Sequence, residues 1–380
     1  MSLAIFFTGL LNIWAEFYQH NIRTVAGCIL LFLLGIVFVG AYMIPDEGNY
    51  EMYYEASKYF NGDIDPMSAL YFHYNTDLGY TLTNHIFYSW GFDYWEYKLF
   101  IVVLSLCLIW FIIRRLTLSV GIVLVFYYLY PFYFDVPQIR NYIVEVILLA
   151  ALAVYKNKLS RKLAGLGLVL LAATFHKIAL AYLVVYMVMI LCEYHSGRKM
   201  MKYLLLVGAA MPLYAGSIIG SLGDISFFIA SMDSFAQYAG YANTEMRLGF
   251  LIPYFHVISL TTAVWYIKKH FEPQNDRQKD LLQILFMAYL GMILLLPLMA
   301  IHGDFNRIPR NLLLPTYIVV AMYLQQITDK YQKMKMFIVF FLLMHVITYF
   351  EFYIIPDLAM LPHGVMVHNF ILEGMINLLD

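Results

Sequence analysis

Apolar residues in this chain come in long runs broken by short polar clusters, and the length of those runs sets the fold class. Runs over 25–43, 99–113, 118–134, 139–155, 203–222, 250–267, 281–301, 312–327 and 336–355 each approach the roughly 20 residues a helix needs to cross a bilayer, and the run over 163–192 is longer still. Between 45 and 97 the pattern changes. Polar and aromatic residues dominate there, one helical period shows over 50–60, and Asn61-Gly62 and Asp65-Pro66 are turn signals. Residues 2–18 are apolar and aromatic but interrupted by Asn12 and Glu16. They read as an interfacial helix, with an extra span as the alternative. No internal repeat is visible. The pattern predicts an all-α, polytopic integral membrane protein with about 11 transmembrane helices in a single membrane domain over 1–380.

The run over 163–192 carries His176 and Lys177 at its midpoint. One continuous helix would deliver its two ends to opposite sides of a membrane. Yet Lys156, Lys158, Arg161 and Lys162 precede it, and Arg198, Lys199 and Lys202 follow it. Short basic loops stay on the cytoplasmic side, so the chain is expected to go in and come back as a hairpin turning near His176. Each leg is then about 14 to 16 residues, short of a full crossing. Bare turns are not tolerated in lipid, so His176 and Lys177 belong in a protein-lined, water-accessible cavity. Ionisable residues at such depth are costly and are candidates for function. The plainer alternative is a lysine that snorkels beside a satisfied histidine.

Composition agrees with this class. The chain is 62% hydrophobic and 13% charged, with mean hydropathy +0.70, far beyond what a soluble domain of 380 residues needs. A transmembrane β-barrel would show short alternating segments instead. The net charge of −1 and the lack of a basic block offer nothing to nucleic acid. Cys28, Cys107 and Cys192 all lie in apolar runs, so no disulfide framework is implied. The first apolar stretch has no basic region ahead of it, which argues against a cleaved signal peptide.

Charge then orients the spans. With the N-terminus inside, 17 of the 24 basic residues fall on the cytoplasmic side, as the positive-inside rule requires. This puts outer loops at 45–97 and 223–249 and an outer C-terminal tail at 356–380. The outer exceptions are Lys58, Lys98, Arg140, Lys177, Arg247, Arg307 and Arg310. Four are arginines at the mouths of spans. Arginine's fixed fork binds phosphate oxygens two at a time and stays charged when partly buried, so arginines converging on one cavity suit a pyrophosphate. The alternative is local ion pairing, Arg140 with Asp135 and Arg307 with Asp304. In the first outer loop Asp46 and Glu47 could supply a general base or hold a metal, or could cap the helix that follows. The same loop is crowded with aromatics, Tyr50 among them, which mark membrane interfaces and also stack on sugars. No phosphate loop, metal-binding motif or nucleophile elbow is present, and neither metal nor cofactor is expected.

Four short stretches together resemble the EpsG family of Wzy-type polysaccharide polymerases. They are the acidic-aromatic loop over 46–54, Gly79-Tyr80, Gln138-Ile139-Arg140-Asn141, and Phe175-His176-Lys177-Ile178-Ala179-Leu180. The resemblance covers roughly 40–320. Lys177 stands where the family usually has a small residue. The resemblance implies a glycosyltransferase of the bacterial inner membrane whose site faces outward. Its substrates would be oligosaccharide repeat units on undecaprenyl pyrophosphate, and its partners membrane lipid and the flippase and chain-length regulator of the same pathway. In that setting His176, or else Asp46 or Glu47, would be the base. Arg140, Lys177, Arg247, Arg307 and Arg310, with Gln138 and Tyr50, would bind substrate. Two other readings stay open. A glycosyltransferase of the GT-C type, using polyprenyl-phosphate sugars, would place Asp46 and Glu47 at a metal and would depend on that metal. A lipid-linked oligosaccharide flippase would need charges facing both sides.

Overall fold

The computed structural model describes residues 2–18, 20–42, 44, 46–57, 77–156, 158–193, 251–299, 303–354 and the single positions 365, 369 and 371. The expected span over 203–222, the loop over 223–249, Arg247 and nearly all of 356–380 lie outside them. In chain order the helices are α1 (Ser2–Tyr18), α2 (Arg23–Gly40), α3 (Glu47–Glu55), α4 (Leu78–Ser89), α5 (Tyr94–Leu116), α6 (Val120–Leu129), α7 (Phe132–Asp135) and α8 (Ile139–Val154). They continue with α9 (Leu159–Phe175), α10 (Ala181–Glu193), α11 (Leu251–His270), α12 (Asp276–Met299), α13 (Arg307–Arg310), α14 (Leu313–Gln326) and α15 (Lys330–Ile354). The all-α class holds: among the described residues the single extended contact is an isolated bridge between Ala41 and Asn369. Four stretches are long and apolar enough to cross a membrane, namely Arg23–Gly40, Tyr94–Leu116, Asp276–Leu296 and Lys330–Tyr349. The eleven expected crossings are thus met only in part.

Two boundaries shift for local reasons. The run over 118–134 is two helices, because Pro131 brings no N–H and its ring blocks continuation. The run over 99–113 begins earlier, at Tyr94. There Asp93 accepts the Glu96 backbone N–H at 2.8 Å and Glu96 accepts that of Asp93 at 2.9 Å. This reciprocal cap satisfies two orphan donors of the first turn.

The first helix packs lengthwise on its neighbours. Asn12 donates to the Ala26 carbonyl at 3.0 Å, and Arg23 lies 3.6 Å from Glu16, so α1 folds back antiparallel along α2. It also runs antiparallel along α6, where Gly9 faces Val125 and Gly121 faces Asn12. The Ser2 end therefore lies at the other end of this helix pair from Arg23. Asn12 explains the fit, since an amide in an apolar stripe needs partners and takes the Thr8 and Ala26 carbonyls. Glu16, 2% exposed, lies 3.6 Å from both Arg23 and Lys333. That cluster closes this end of the bundle and ties α15 to α1 and α2.

The hairpin is present as expected. Helix α9 stops at His176, a short 3-10 turn covers Lys177–Leu180, and α10 returns. The Tyr155 and Tyr186 rings lie 5.4 Å apart, and the Tyr186 hydroxyl donates to the Lys162 carbonyl, so both legs end at the same side. The first leg starts at Leu159 rather than 163. Its 17 residues reach about 25 Å, longer than expected but still under a typical hydrocarbon core. On the far side α10 packs into α12 at Gly291, where an added Cβ would come 2.9 Å from the Val185 Cα.

The α1–α6 contact gives a test. A Cβ at Gly121 would approach the Asn12 side chain to 1.8 Å at Oδ1 and 2.8 Å at Cβ. Gly121→Leu is expected to cost about 1–3 kcal/mol through overpacking, seen as a lower thermal midpoint of the detergent-purified protein. An unchanged midpoint would contradict the lengthwise docking of α1.

Candidate functional site

At the end of the bundle away from Glu16, four elements bring their polar residues together. Asp77 precedes α4 in an extended conformation, and its side chain makes no helix-capping bond. One carboxylate oxygen instead meets Arg140 Nη1, at the start of α8, at 3.2 Å. The other accepts the Lys177 backbone N–H, at the hairpin turn, at 3.3 Å. Gly79 makes the approach possible. A Cβ there would sit 2.2 Å from Thr174 Oγ1 and 3.1 Å from the Thr174 carbonyl carbon, so α4 lies directly on the last turn of α9.

The Arg140 guanidinium lies over three tyrosine rings, 5.5 Å from Tyr50, 6.0 Å from Tyr53 and 5.7 Å from Tyr80. Aromatic faces hold a weakly hydrated guanidinium without cancelling its charge. Its side chain remains 20% exposed. Local pairing of Arg140 with Asp135 is not what forms. Asp135 is fully buried, accepts from the Tyr127 hydroxyl at 3.0 Å, and meets Glu145 side chain to side chain.

His176 ends α9 with 7% of its surface exposed. Its Nδ1 faces the Ile178 backbone N–H at 3.3 Å, and its Nε2 faces Arg307 Nη1 at 3.3 Å. A neutral imidazole has one bare nitrogen and can serve one of these donors at a time, whereas an added proton would face a donor at both. The ring is therefore held neutral by its surroundings. Arg307 belongs to α13, and that turn is fixed from two sides. Tyr182 of α10 donates to the Ile308 carbonyl, and Asn141 and Asn311 exchange amide hydrogen bonds of 2.9 and 3.1 Å.

The remaining sequence candidates fall in different places. Arg310 is 3% exposed, donates to Gln138 and lies 4.7 Å from the Phe134 ring. Gln138 and Arg310 thus brace the start of α8 against α13. Glu47 is 2% exposed and accepts both Lys98 Nζ and the Tyr94 hydroxyl at 2.7 Å, an ion pair with its own buried cation. Asp46 is exposed, with a left-handed φ of 67°. The Asp304 side chain, like Arg247, lies outside what is described. Among the described residues no three His, Cys, Asp or Glu side chains converge as a metal site would need.

Asp77 and Glu145 are the residues that sequence reasoning missed. The available signal for Asp77 was its place immediately ahead of Leu78-Gly79-Tyr80. Glu145 offered the lone acid in an otherwise apolar span.

A family model matches residues 4–364, and its description is the EpsG family. The chain belongs to the EpsG family. Membership places it among membrane proteins of polysaccharide biosynthesis. The match takes in every described element of the cluster around Arg140, His176 and Arg307. No curated protein and no solved structure matches the chain.

Asp77 yields a prediction with a definite sign. Burial pushes its carboxyl up to about 6, against the opposing pull of Arg140 and Lys177. The single Arg140 contact is one-pronged, and at 6% exposure the lost hydration outweighs it. The unfolded value is about 3.9. The folded form holds this proton more tightly, so the contribution to stability is full below about pH 4 and lost as pH rises through about 6. The Asp77→Asn protein should melt no lower at pH 7 and should show a flatter pH dependence between about 4 and 6. A lower midpoint at pH 7 would mean the ion pair outweighs burial.

Proposed function

We propose that this EpsG-family chain is a polysaccharide polymerase that joins oligosaccharide repeat units carried on undecaprenyl pyrophosphate. The site would open to the outer face of the cytoplasmic membrane. The observation that carries the reading is the convergence of Arg140, His176 and Arg307 at one end of an apolar helical bundle, His176 against Arg307 and both joined to Arg140 through the hairpin turn and Asp77. A hydroxyl of one lipid-linked chain attacks the anomeric carbon of the other. The new glycosidic bond forms as the bond to the pyrophosphate oxygen breaks, and the leaving group departs with the electron pair.

The residues divide this work. The leaving group needs fixed positive charge and no proton, which Arg140, Arg307 and the Lys177 ammonium supply electrostatically. The attacking hydroxyl must lose a proton, and neutral His176 has a nitrogen to take it. In the resting site Arg307 covers Nε2. A pyrophosphate drawing that guanidinium toward itself would uncover the nitrogen only when substrate is bound. Tyr50 supports Arg140 from below, and Arg310 with Gln138 positions the two arginine-bearing elements. Asp46 is the alternative base, whereas Glu47 already pairs with Lys98.

Two sets of variants test the assignment in a deletion host scored for surface polysaccharide. Arg140→Ala and Arg307→Ala should each abolish polymer with the protein still inserted. Lysine at either position should rescue poorly, since a point charge loses the fork. Full function with lysine at both would remove the pyrophosphate clamp. A ladder lost while one repeat unit is still made marks the polymerase step, and total loss marks an earlier one.

For His176 the informative contrast is Ala against Gln. Both should lose most activity, a fall of about 10²–10⁴-fold, if the ring moves a proton. Substantial recovery with Gln, which bonds but lacks useful basicity, would reduce His176 to a positioning role.

A further inference from the structure

The two faces of α4 differ in kind. Its inner face packs on the bundle through Tyr80, Thr81, Asn84 and Phe87, all buried, and brings the Tyr80 ring to 5.7 Å from the Arg140 guanidinium. The outward face carries Leu78, Leu82 and Ile86 and, just past the helix end, Trp90. The two leucines are about half exposed and the tryptophan about two-thirds. No Asp, Glu, Lys or Arg occurs from Leu78 to Phe92. The hydroxyls beside this stripe turn back on the helix itself. Thr83 donates to the Gly79 carbonyl and Ser89 to that of Ile86, each at 2.7 Å. A helix with its outer face in water carries charged and polar residues there. Neighbouring α3 does so, with Glu51 and Glu55 exposed.

Exposed leucines alone do not say what covers them, but this stripe is continuous with the exposed side of a span. The Phe87 ring gathers Trp90 at 5.4 Å, Phe92 at 5.5 Å and Phe100 of α5 at 4.9 Å. Beyond Phe100 the exposed side of α5 continues through Val103 and Leu104, in a helix long and apolar enough to cross a membrane. Helix α4 has 12 residues, about 18 Å, and cannot cross one itself. We propose that α4 lies in the lipid–water interface at the His176 end of the bundle. Leu78, Leu82 and Ile86 rest against hydrocarbon, and Trp90 sits at headgroup level, where tryptophan is favoured. Helices of this kind bury an apolar face about 5–10 Å into the acyl boundary. The partner is membrane lipid, because the stripe extends the face that a span already turns to lipid. Lipid on one face of α4 and Arg140 on the other are then about 10 Å apart, one helix diameter. An anion-headed amphiphile anchored in that leaflet is within reach of the guanidinium. The proposal rests on the chain spanning a membrane and is independent of the glycosyl-transfer reading.

The test uses the full chain in bilayers of phosphatidylglycerol and phosphatidylcholine, with its exposed cysteines removed by Cys28→Ser and Cys107→Ser. Nitroxide labels are placed singly through Leu82→Cys and Ser89→Cys on the stripe. Leu104→Cys on α5 is the lipid reference, and Glu51→Cys on α3 is the water reference. Collision with oxygen, which concentrates in hydrocarbon, is compared with collision with a water-soluble nickel chelate. The labels at 82 and 89 should favour oxygen as the label at 104 does, whereas the label at 51 should favour nickel. If the Leu82→Cys protein does not fold, Ser89→Cys, at an exposed polar position on the same face, carries the test. Nickel preference on the stripe matching that at 51 would put this face in water and overturn the proposal. Protection from both reagents would mean a protein cover and would also overturn it. Spin–spin broadening that disappears on dilution with unlabelled chain would identify that cover as a second copy.

Discussion

The reciprocal bond between Asn141 and Asn311 is the constraint on which the His176 end of the bundle depends. Both amides are fully buried, and each is donor and acceptor to the other. In an apolar bundle an amide without a partner is costly, so this pair has one good register and few neighbouring ones. Asn141 follows Arg140, and Asn311 follows Arg310. Fixing the amides therefore fixes the start of α8 against the 307–312 turn, and with it the spacing of the arginines. Helices of this kind gain little from burying apolar faces against each other, because lipid is as apolar as the core. Polar pairs and close backbone approaches must then set the geometry.

Arg140, Arg307 and Arg310 show how the same side chain serves different ends. Arg310 is buried against Phe134 and Gln138 and acts as a brace. Arg140 keeps its charge over aromatic faces and answers to a single carboxylate. Arg307 covers a histidine nitrogen. A guanidinium over tyrosine rings is poorly hydrated and only partly neutralised, so it can still take an anion. One bonded to a neutral amide inside the core is already committed. That difference in surroundings, not position near a span, separates the arginines proposed to meet pyrophosphate from the one that supports them.

Much of this was legible in the sequence, and the losses have physical causes. Basic flanks on both sides of one apolar run required a hairpin, and the break at His176 follows. Arg140, Arg307 and His176 were visible as charges where lipid would not tolerate them. Their partners were not. Pairing Arg140 with Asp135 assumed that the nearest acid in sequence is nearest in space, but Asp135 is drawn inward to Tyr127 and Glu145. Asp77 sits 63 residues away from Arg140 and is brought close by the missing side chain at Gly79. Close approaches leave no periodic signature. The lengthwise docking of α1 was hidden for a similar reason, since Asn12 and Glu16 look like interruptions until α2 and α6 supply their partners.

The hairpin also explains why a site should form where it does. A chain that turns back near the membrane edge strands backbone N–H groups that lipid cannot satisfy. At this turn the Lys177 N–H goes to Asp77 and the Ile178 N–H faces His176. Both acceptors are ionisable side chains rather than backbone carbonyls. Each has a second face, Asp77 toward Arg140 and His176 toward Arg307. Satisfying the turn therefore places two titratable groups, each tied to an arginine, side by side at one end of the bundle. The demands of folding a short-legged hairpin and those of building the proposed site are met by the same residues.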